Sequence, residues 1–388
     1  MDSKNGNVHG MFNQQLFKLK IGIVLNYKNA EKKKDELLPV DSNDKPWLKL
    51  GDQSRYKPYV VMKKNKKFVP ADVAIGLFIE SKYPDIKVDY ITPDEISTRR
   101  FKMNDLVFII IYDLLEAFHL TKKNNFHKFK LALKNSNNVY PPYQYQKFIN
   151  NKCLYYKYLE KKGLPVAPTH CVTKEKWYTK NPKNYISNLI TKVKHNKWDS
   201  IIAKPVYGQE SKDFAKFLSC KKNGLRCQEN HLLRYFARNV PKYKSIVIQE
   251  YIKGFDKNNP EIRTYFINGK YMYSIITTSD DVELPVQEGG KFIIANDKWK
   301  YAMELANKVM NSLPKIDLSS KYPILTRIDL GSGLESTPHT LFVNEVEFVP
   351  SLYIEDQNNP IVERISECLV DVTKEYKNKG KSAVKVNF

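Results

Sequence analysis

FVNEVEFVPS, residues 342–351, places two carboxylates in a stretch whose composition is otherwise that of a buried strand. Side chains alternate between the two faces of a strand, so Glu345 and Glu347 share one face, with Cα atoms about 6.6 Å apart. Two like charges in a half-buried place are costly unless a cation lies between them. The stretch therefore predicts a strand that carries a cation-binding site.

Length and composition limit the class of protein. The 388 residues exceed one typical core and indicate two or three domains. A content of 42% hydrophobic and 12% aromatic residues excludes a disordered chain. The N-terminal residues contain no apolar core of a signal peptide, and the longest apolar run, LVFIII at 106–111, is too short to span a bilayer. We therefore expect a soluble, cytoplasmic protein.

The cysteines indicate a reducing compartment. Their number is odd, and the sequence contains neither a CxxC pair nor the spacing of zinc ligands. The expectation is that all five are ordinary thiols: Cys153, Cys171, Cys220, Cys227 and Cys368.

The net charge of +22 raises the question of a nucleic-acid partner. Only nine of the 64 basic residues are arginine, however, and the lysines are spread along the whole chain. Because arginine is the residue that reads bases and phosphates in bidentate fashion, this pattern disfavours nucleic acid as the main partner. A lysine surplus without arginine clusters is more typical of a proteome-wide compositional habit, and a polyanionic small substrate or an acidic protein tail stays open as a reason for the charge.

The N-terminal part predicts a small α/β domain over residues 19–140, preceded by a disordered or extended tail over residues 1–18. A lysine-rich insertion with three prolines separates its first strand from its first helix. The predicted elements are a first parallel strand (19–26), a helix (71–83), a strand (87–91) and a second continuous apolar strand (106–112).

The remainder alternates between helices and strands. Leu154, Tyr158 and Leu159 lie on one face of a predicted helix that stops at Gly163. The Asn268-Gly269 pair predicts a hairpin turn. The other predicted elements are strands at 200–205, 245–252, 261–267 and 270–277, a helix at 298–313, an antiparallel pair at 323–330 and 341–348, and a closing helix at 360–378.

Six short motifs follow one another between residues 105 and 360: a lysine before a helix that ends in GLPVAPT, then IIAKP, QEYI, EIR, RID and EVE. In this order and spacing the sequence resembles the ATP-grasp superfamily, and its D-alanine ligase-like and glutathione synthase-like members most closely. The resemblance implies an α/β (α+β) fold, in which the small N-terminal domain precedes two α+β subdomains that clasp ATP. We place these subdomains at residues 141–245 and 246–388, the second with the metal site.

The resemblance implies two lysines that reach the ATP phosphates. Lys152 stands eleven residues before Gly163, as the corresponding lysine does in the family. Lys204 also has a physical argument of its own, because an unpaired ammonium inside the β-branched strand SIIAKP is costly and a phosphate would satisfy it. The loop that follows, VYGQESKD, matches the family's glycine-rich phosphate loop only at Gly208 and Ser211.

QEYI resembles the strand whose backbone presents hydrogen-bonding groups to adenine, which puts Glu250, Tyr251 and Ile252 at the base. Glu261 resembles the acidic residue that takes the ribose hydroxyls. Arg263 lies two residues on, on the same strand face, and is assigned to the phosphates or the substrate.

The family carries R-x-D and then E-x-N on its last two strands, and these oxygens hold two magnesium ions that bridge the ATP phosphates. Here RID supplies Arg327 and Asp329, and EVE supplies Glu345 and Glu347 as metal ligands. Hard oxygen ligands suit Mg²⁺, which is therefore the expected cation between the two carboxylates. Glu347 stands where the family usually has asparagine, and the added negative charge would tighten metal binding or favour Mn²⁺.

The resemblance implies an ATP-dependent ligase that joins a carboxylate to an amine or thiol through an acyl phosphate. Arg327 would stabilise the tetrahedral intermediate, with Lys204 and Arg263 as further catalytic residues. The expected partners are a small carboxylate and an amine, or an acidic peptide tail, and a homodimer is compatible with the family. Two alternatives stay open: an ATP-grasp kinase for a polyanionic hydroxyl substrate such as an inositol phosphate, and a non-catalytic nucleotide-binding protein.

Overall fold

A computed structural model of the chain describes residues 18–25, 37–110, 123–179, 181–207, 212–243, 245–255, 259–277, 283–288, 291–292, 294, 296–333, 341–353 and 360–388. The helices are α1 (Ala71–Lys82), α2 (Thr98–Lys102), α3 (Lys123–Asn135), α4 (Tyr143–Ile149), α5 (Lys152–Lys161), α6 (Lys174–Tyr178), α7 (Pro182–His195), α8 (Glu229–Asn239), α9 (Asn296–Ser312) and α10 (Ile361–Asn378). Short 3₁₀ helices occupy Pro46–Asp52, Ser54–Tyr59 and Leu225–Gln228.

The first sheet is parallel and has the order β5-β1-β6-β7. Its strands are β1 (Leu19–Val24), β5 (Ile86–Ile91), β6 (Leu106–Phe108) and β7 (Val139–Tyr140). The predicted first strand and the helix at 71–83 are confirmed. The predicted strand at 106–112 ends earlier, at Phe108, and its last two residues lie outside the described ones.

The lysine-rich insertion contains more regular structure than its prolines predicted. It forms a three-stranded antiparallel sheet from β2 (Leu37–Pro39), β3 (Val61–Lys63) and β4 (Lys66–Pro70), and β4 leads directly into α1. Lys45 of the insertion pairs with Glu363 of α10 at 2.7 Å, and both side chains are largely buried. The ion pair fixes the insertion to the start of the last helix.

The second sheet is antiparallel, with the order β10-β9-β11-β8. Its strands are β8 (Thr169–Thr173), β9 (Ile201–Pro205), β10 (Ala215–Phe217) and β11 (Ser245–Glu250). Residues from α6, α7 and α8 form a separate apolar core with one face of this sheet, on which Ile201, Ala203 and Ile248 are fully buried. The opposite face carries Lys204 and the fully buried Val247, which belongs to the main apolar core of the protein.

The third sheet has the order β14-β13-β12-β18-β19 and is also antiparallel. Its strands are β12 (Glu261–Ile267), β13 (Lys270–Thr277), β14 (Glu283–Pro285), β18 (Leu325–Ser332) and β19 (Leu341–Glu347). Positive φ angles of 48° at Asn268 and 74° at Gly269 confirm the predicted hairpin turn. The four remaining strands are two residues long and form two separate two-stranded sheets. These pair β15 (Gln287–Glu288) with β16 (Lys291–Phe292), and β17 (Lys315–Ile316) with β20 (Val386–Asn387).

The three sheets are held in contact by the segments between them. The backbone N–H of Val343 on β19 donates to the Pro165 carbonyl at 2.8 Å, so the chain that enters the second sheet runs along the edge of the third. The Ser366 hydroxyl of α10 donates to the Ile75 carbonyl of α1 at 3.0 Å. The segment before the second sheet therefore contacts β19, and α10 packs against α1 of the N-terminal domain. The division of the chain at residues 140 and 245 stays a prediction.

Helix α5 buries the predicted face only in part, since Leu159 is buried and Tyr158 is half-buried but Leu154 is exposed. Leu154 is 46% exposed, whereas Lys152, Tyr155, Tyr156 and Leu159 are buried. The sequence pattern favoured the aliphatic Leu154, but the buried face contains polar groups that find partners on β9 and β19. The predicted stop is confirmed, since Gly163 follows the helix with a φ of 72°.

The expectation of five thiols is wrong for four of the cysteines. Cys153 on α5 and Cys171 on β8 form a disulfide, as do Cys220 and Cys227, and Cys368 is free. The Cα atoms of each pair are 6.1 and 6.3 Å apart, a separation that depends on tertiary folding and that sequence spacing does not show. The cysteines therefore no longer indicate a reducing compartment.

None of the helices within the described ranges has the length and apolarity needed to cross a membrane.

Candidate active site

Three acidic side chains meet on one face of the third sheet. In the register of β18 with β19, Asp329 lies opposite Glu345 and Arg327 opposite Glu347. Because side chains two residues apart share a face, all four point the same way. Asp329, Glu345 and Glu347 each offer a carboxylate oxygen, and these oxygens lie within 4.8 Å of one another.

This donor set fits a hard divalent cation. Carboxylate oxygens are ligands that Mg²⁺ accepts while it keeps water or phosphate oxygens in its other positions. Asp329 is buried at 2% exposure, but Glu345 and Glu347 each keep 21% of their side-chain surface exposed, so an ion can reach them from solvent. The structure thus brings together the three predicted metal ligands, whose binding of a metal stays a prediction.

Two arginines add positive charge to the same face. Arg327 forms a bidentate pair with Asp329, with both N···O distances at 2.7 Å, and its Nη2 lies 3.2 Å from Glu347. Burial would lower the pKa of Arg327, but these two carboxylates raise it well above its ordinary value. Arg263 on β12 lies opposite Asp329 and donates from Nε to Glu261 at 2.9 Å. Both guanidinium groups are therefore fixed cations beside the carboxylates.

Two lysines reach the carboxylate cluster from the other side. Lys152 begins α5, where Asn151 accepts a hydrogen bond from the Leu154 N–H as N-cap, and its ammonium forms an ion pair with Glu345. Lys204 on β9 is only 9% exposed, and burial lowers its pKa to about 8. The structure therefore brings both predicted phosphate lysines to the carboxylate cluster.

The buried acidic groups differ in their affinity for protons. Burial raises the pKa of Glu347 to about 7, although Arg327 opposes the shift. Burial also acts on Glu345, but Lys152 and Lys204 outweigh it and lower its pKa. The pKa of Glu261 is raised by burial. Lys152 and Lys204 therefore favour the charged form of Glu345, whereas burial favours the protonated forms of Glu347 and Glu261.

The predicted hinge follows the second sheet directly. Glu250 ends β11, and its N–H donates to the Pro168 carbonyl at 3.0 Å, while the Tyr251 N–H donates to the Ser200 carbonyl at 2.9 Å. Because these two N–H groups are already used, a purine would meet the carbonyl oxygens of both residues or the backbone of Ile252. Burial raises the pKa of the Glu250 carboxyl.

Glu261 lies beside the charged side chains of the cluster and is hydrogen-bonded on both oxygens. Its Oε2 accepts from Arg263, and its Oε1 accepts from the Asn344 side-chain amide at 2.5 Å. These partners fix the carboxylate between β12 and β19, and its assignment to a ribose stays a prediction. Gly208 and Ser211 lie outside the described residues.

Two residues that the sequence analysis did not single out belong to the site. Lys216 on β10 places its ammonium 5.5 Å from the ring centroid of Tyr251, beside the hinge. Tyr156 on α5 accepts a hydrogen bond from Lys204 Nζ at 2.9 Å. Tyr156 stands four residues after Lys152, a spacing that would have placed both on one helix face.

No family model and no curated protein matches this chain. Among solved structures, D-cycloserine synthetase DcsG matches with a TM-score of 0.55 at 16% identity, over 90% of this chain and 99% of that one. D-alanine–D-alanine ligase from Bacillus anthracis, complexed with ATP, matches with a TM-score of 0.52 at 11% identity, over 93% and 99%. The ATP-grasp ligase PsnB, complexed with a minimal precursor, matches with a TM-score of 0.50 at 12% identity, over 92% and 99%. The chain therefore has the ATP-grasp fold.

Proposed function

We propose that this chain is an ATP- and Mg²⁺-dependent ligase that joins a carboxylate to an amine or thiol through an acyl phosphate. The observation that carries the proposal is the cluster of three carboxylates within 4.8 Å of one another, flanked by two buried lysines and two arginines. The ATP-grasp fold supports it, since the chain shares this fold with a D-alanine–D-alanine ligase complexed with ATP.

In this proposal the nucleotide lies between the second and third sheets. Lys152 and Lys204 bind phosphate oxygens, and Gly208 and Ser211, which lie outside the described residues, keep their assignment to the same phosphates. Glu250, Tyr251 and Ile252 hold the adenine, and Glu261 takes the ribose hydroxyls. The burial of Lys204 supports the assignment, because a phosphate would supply the negative charge that its desolvated ammonium needs.

Asp329, Glu345 and Glu347 would hold the magnesium, with two ions as the proposed number and Mn²⁺ as a substitute. When bound, Mg²⁺ would neutralise negative charge on the phosphate oxygens. The three carboxylates supply anionic oxygens that lie within 4.8 Å of one another. Their own cationic neighbours, Lys152 and Arg327, keep that charge tolerable when no metal is bound.

The chemistry then needs positioning and charge stabilisation from the protein. A substrate carboxylate oxygen attacks the γ-phosphorus of ATP, ADP leaves, and an acyl phosphate forms. The amine attacks the acyl carbon, phosphate leaves, and the amine loses a proton. Arg327 is held rigidly by Asp329 and supplies a fixed cation for the tetrahedral oxyanion, and Arg263 orients the phosphate or the substrate.

The carboxylate donor would be a small molecule or a carboxylate of an acidic peptide tail. The net charge of +22 favours an anionic substrate of either kind, because a positive surface raises its local concentration.

Hydroxylamine trapping tests the proposal, because hydroxylamine intercepts activated acyl groups. The protein, ATP, Mg²⁺ and hydroxylamine are incubated with pools of small carboxylates and, separately, with acidic peptides. We expect a hydroxamate together with ADP and free phosphate from at least one pool. Lys204→Met should abolish this product, whereas Lys161→Met, at an exposed position on α5, should leave it unchanged.

The kinase alternative gives a different result in the same experiment. A kinase leaves the γ-phosphate on the acceptor, releases no free phosphate and is insensitive to hydroxylamine. Stable ³²P transfer from ATP to a hydroxyl acceptor, with no hydroxamate from any pool, would overturn the ligase assignment.

A further inference from the structure

Tyr156 is a fully buried tyrosine whose hydroxyl lies inside the proposed nucleotide site. The residue is 1% exposed, and its hydroxyl donates to the Asn344 carbonyl on β19 while it accepts from Lys204 Nζ at 2.9 Å. A hydroxyl has one proton to donate. Because the Asn344 carbonyl takes that proton, a lone pair of the oxygen is directed to the lysine.

The hydroxyl of Tyr156, and not the face of its ring, contacts Lys204. Lys204 Nζ lies 2.9 Å from the hydroxyl oxygen and 5.2 Å from the ring centroid, which places the ammonium at the hydroxyl edge of the ring. Lys204 belongs to the second sheet and Asn344 to the third, so the tyrosine links the two sheets between which the nucleotide is proposed to lie.

The position of Tyr156 on α5 ties the lysine to the carboxylate cluster. Lys152, one helical turn earlier, pairs with Glu345, and Tyr156 bonds the backbone of the preceding residue, Asn344. One face of α5 thus contacts two consecutive residues of β19, Asn344 and Glu345. The distance between the Lys204 ammonium and Glu345 is therefore set through α5.

We propose that Tyr156 is a positioning residue that holds the Lys204 ammonium in place for the nucleotide phosphates. The inference rests on the proposed function, since it requires that the phosphates bind at Lys204. A lysine side chain has four rotatable bonds, and fixing its end before the ligand arrives removes an ordering cost from binding.

The test is a double-mutant cycle read by binding instead of turnover. The dissociation constant of a non-hydrolysable ATP analogue with Mg²⁺ is measured by calorimetry for the wild type, Tyr156→Phe, Lys204→Met and the double variant. Tyr156→Phe keeps the ring and removes the hydroxyl, and we expect about tenfold weaker binding, as for loss of a hydrogen bond to a charged group. In the Lys204→Met background, Tyr156→Phe should leave the dissociation constant unchanged, because the ammonium that the hydroxyl holds is absent.

Tyr145→Phe is the matched control. Tyr145 is equally buried on the neighbouring helix α4, and its hydroxyl has no hydrogen-bond partner within the described part of the chain, so nucleotide binding should not change. All variants are compared at a temperature at which circular dichroism shows them folded.

The outcomes separate this inference from the proposed function. If the wild type binds no nucleotide, the proposed function fails. If the wild type binds and Lys204→Met weakens binding, but Tyr156→Phe matches the wild type, the positioning role is wrong. If Tyr156→Phe weakens binding equally with and without Lys204, the tyrosine acts only through the fold, and the inference is also overturned.

Discussion

The ammonium of Lys152, at the start of α5, forms an ion pair with the carboxylate of Glu345 on β19. Glu345 is also one of the three clustered carboxylates, so the protein's own cation lies beside a proposed metal ligand. The lysine side chain is only 9% exposed, which limits screening of the pair by solvent. If Glu345 binds a metal ion as proposed, Lys152 competes with that ion for Glu345 when no nucleotide is bound, whereas bound phosphates would attract the lysine instead.

Removing this competitor should strengthen metal binding in the absence of nucleotide. For Lys152→Met we expect about tenfold tighter Mn²⁺ binding, because a unit positive charge close to the site is gone. Electron paramagnetic resonance of free Mn²⁺ measures the affinity, and Lys161→Met serves as the control for loss of a distant charge. Unchanged Mn²⁺ affinity in Lys152→Met would show that the ion pair and the metal do not share Glu345.

Lys204 should lower the stability of the ligand-free protein at neutral pH. Its pKa of about 8 in the folded state lies below the ordinary 10.5, so burial of the ammonium disfavours folding while both states are protonated. Lys204→Met should therefore raise the free energy of unfolding at pH 7 by roughly 3 kcal/mol, at about 1.4 kcal/mol per unit of pKa.

The free energy of unfolding that Lys204→Met gains should become smaller as the pH rises. Between pH 8 and pH 10.5 the folded protein gives up the Lys204 proton while the unfolded chain keeps it, so the wild type gains stability and the difference from Lys204→Met shrinks. Urea unfolding of both proteins at pH 7 and at pH 10 measures this. A variant less stable than the wild type at pH 7 would mean that the ammonium is well stabilised without a ligand.

Neutralising Asp329 and neutralising Glu347 should change the free energy of unfolding by different amounts. Asp329→Asn removes the bidentate partner of the buried Arg327 and should cost about 3 kcal/mol of stability, as for a broken buried ion pair. Glu347→Gln should change stability by less than about 1 kcal/mol at pH 7, because burial has raised the pKa of Glu347 to about 7 and its charge is only partly present.

Metal binding should fall in both of these variants, because each loses an anionic oxygen ligand. Denaturant unfolding and Mn²⁺ titration of the same preparations separate the two effects. Equal loss of stability in Asp329→Asn and Glu347→Gln would contradict the assignment of Arg327 mainly to Asp329.

The features that the sequence predicted correctly are those with local causes. The turn at Asn268-Gly269 follows from two residues that tolerate positive φ, and the shared face of Glu345 and Glu347 follows from the period of a strand. The burial of Lys204 follows from its β-branched neighbours. The existence of these elements therefore needed no knowledge of the rest of the chain.

What the sequence did not predict depends on contacts between distant segments. Tyr156 is buried whereas Leu154 is exposed, and the Tyr156 hydroxyl finds partners on β9 and β19. A pattern of apolar residues contains no information on such partners. The Lys152–Glu345 pair likewise joins segments that only the folded chain brings together. Sequence patterns thus singled out Lys152 and Glu345 but not the contact between them, and they left out Tyr156.

The two disulfides give the last prediction, and it concerns the point on which the sequence analysis was wrong. Alkylation of the denatured, non-reduced chain should modify only Cys368 among the five cysteines, whereas all five should react after reduction. Mass spectrometry counts the modified residues. Five labelled cysteines without reductant would restore the thiol interpretation.

Reduction should also lower stability by amounts that follow the loop each bridge closes. Loss of Cys153–Cys171, with a sequence separation of 18, should cost about 3 kcal/mol, and loss of Cys220–Cys227, with a separation of 7, about 2 kcal/mol. Cys153 directly follows Lys152 and joins α5 to β8, so its removal should also weaken binding of an ATP analogue, whereas removal of Cys220–Cys227 should not. A Cys153→Ser/Cys171→Ser variant with unchanged nucleotide affinity would show that α5 holds Lys152 in place without the bridge.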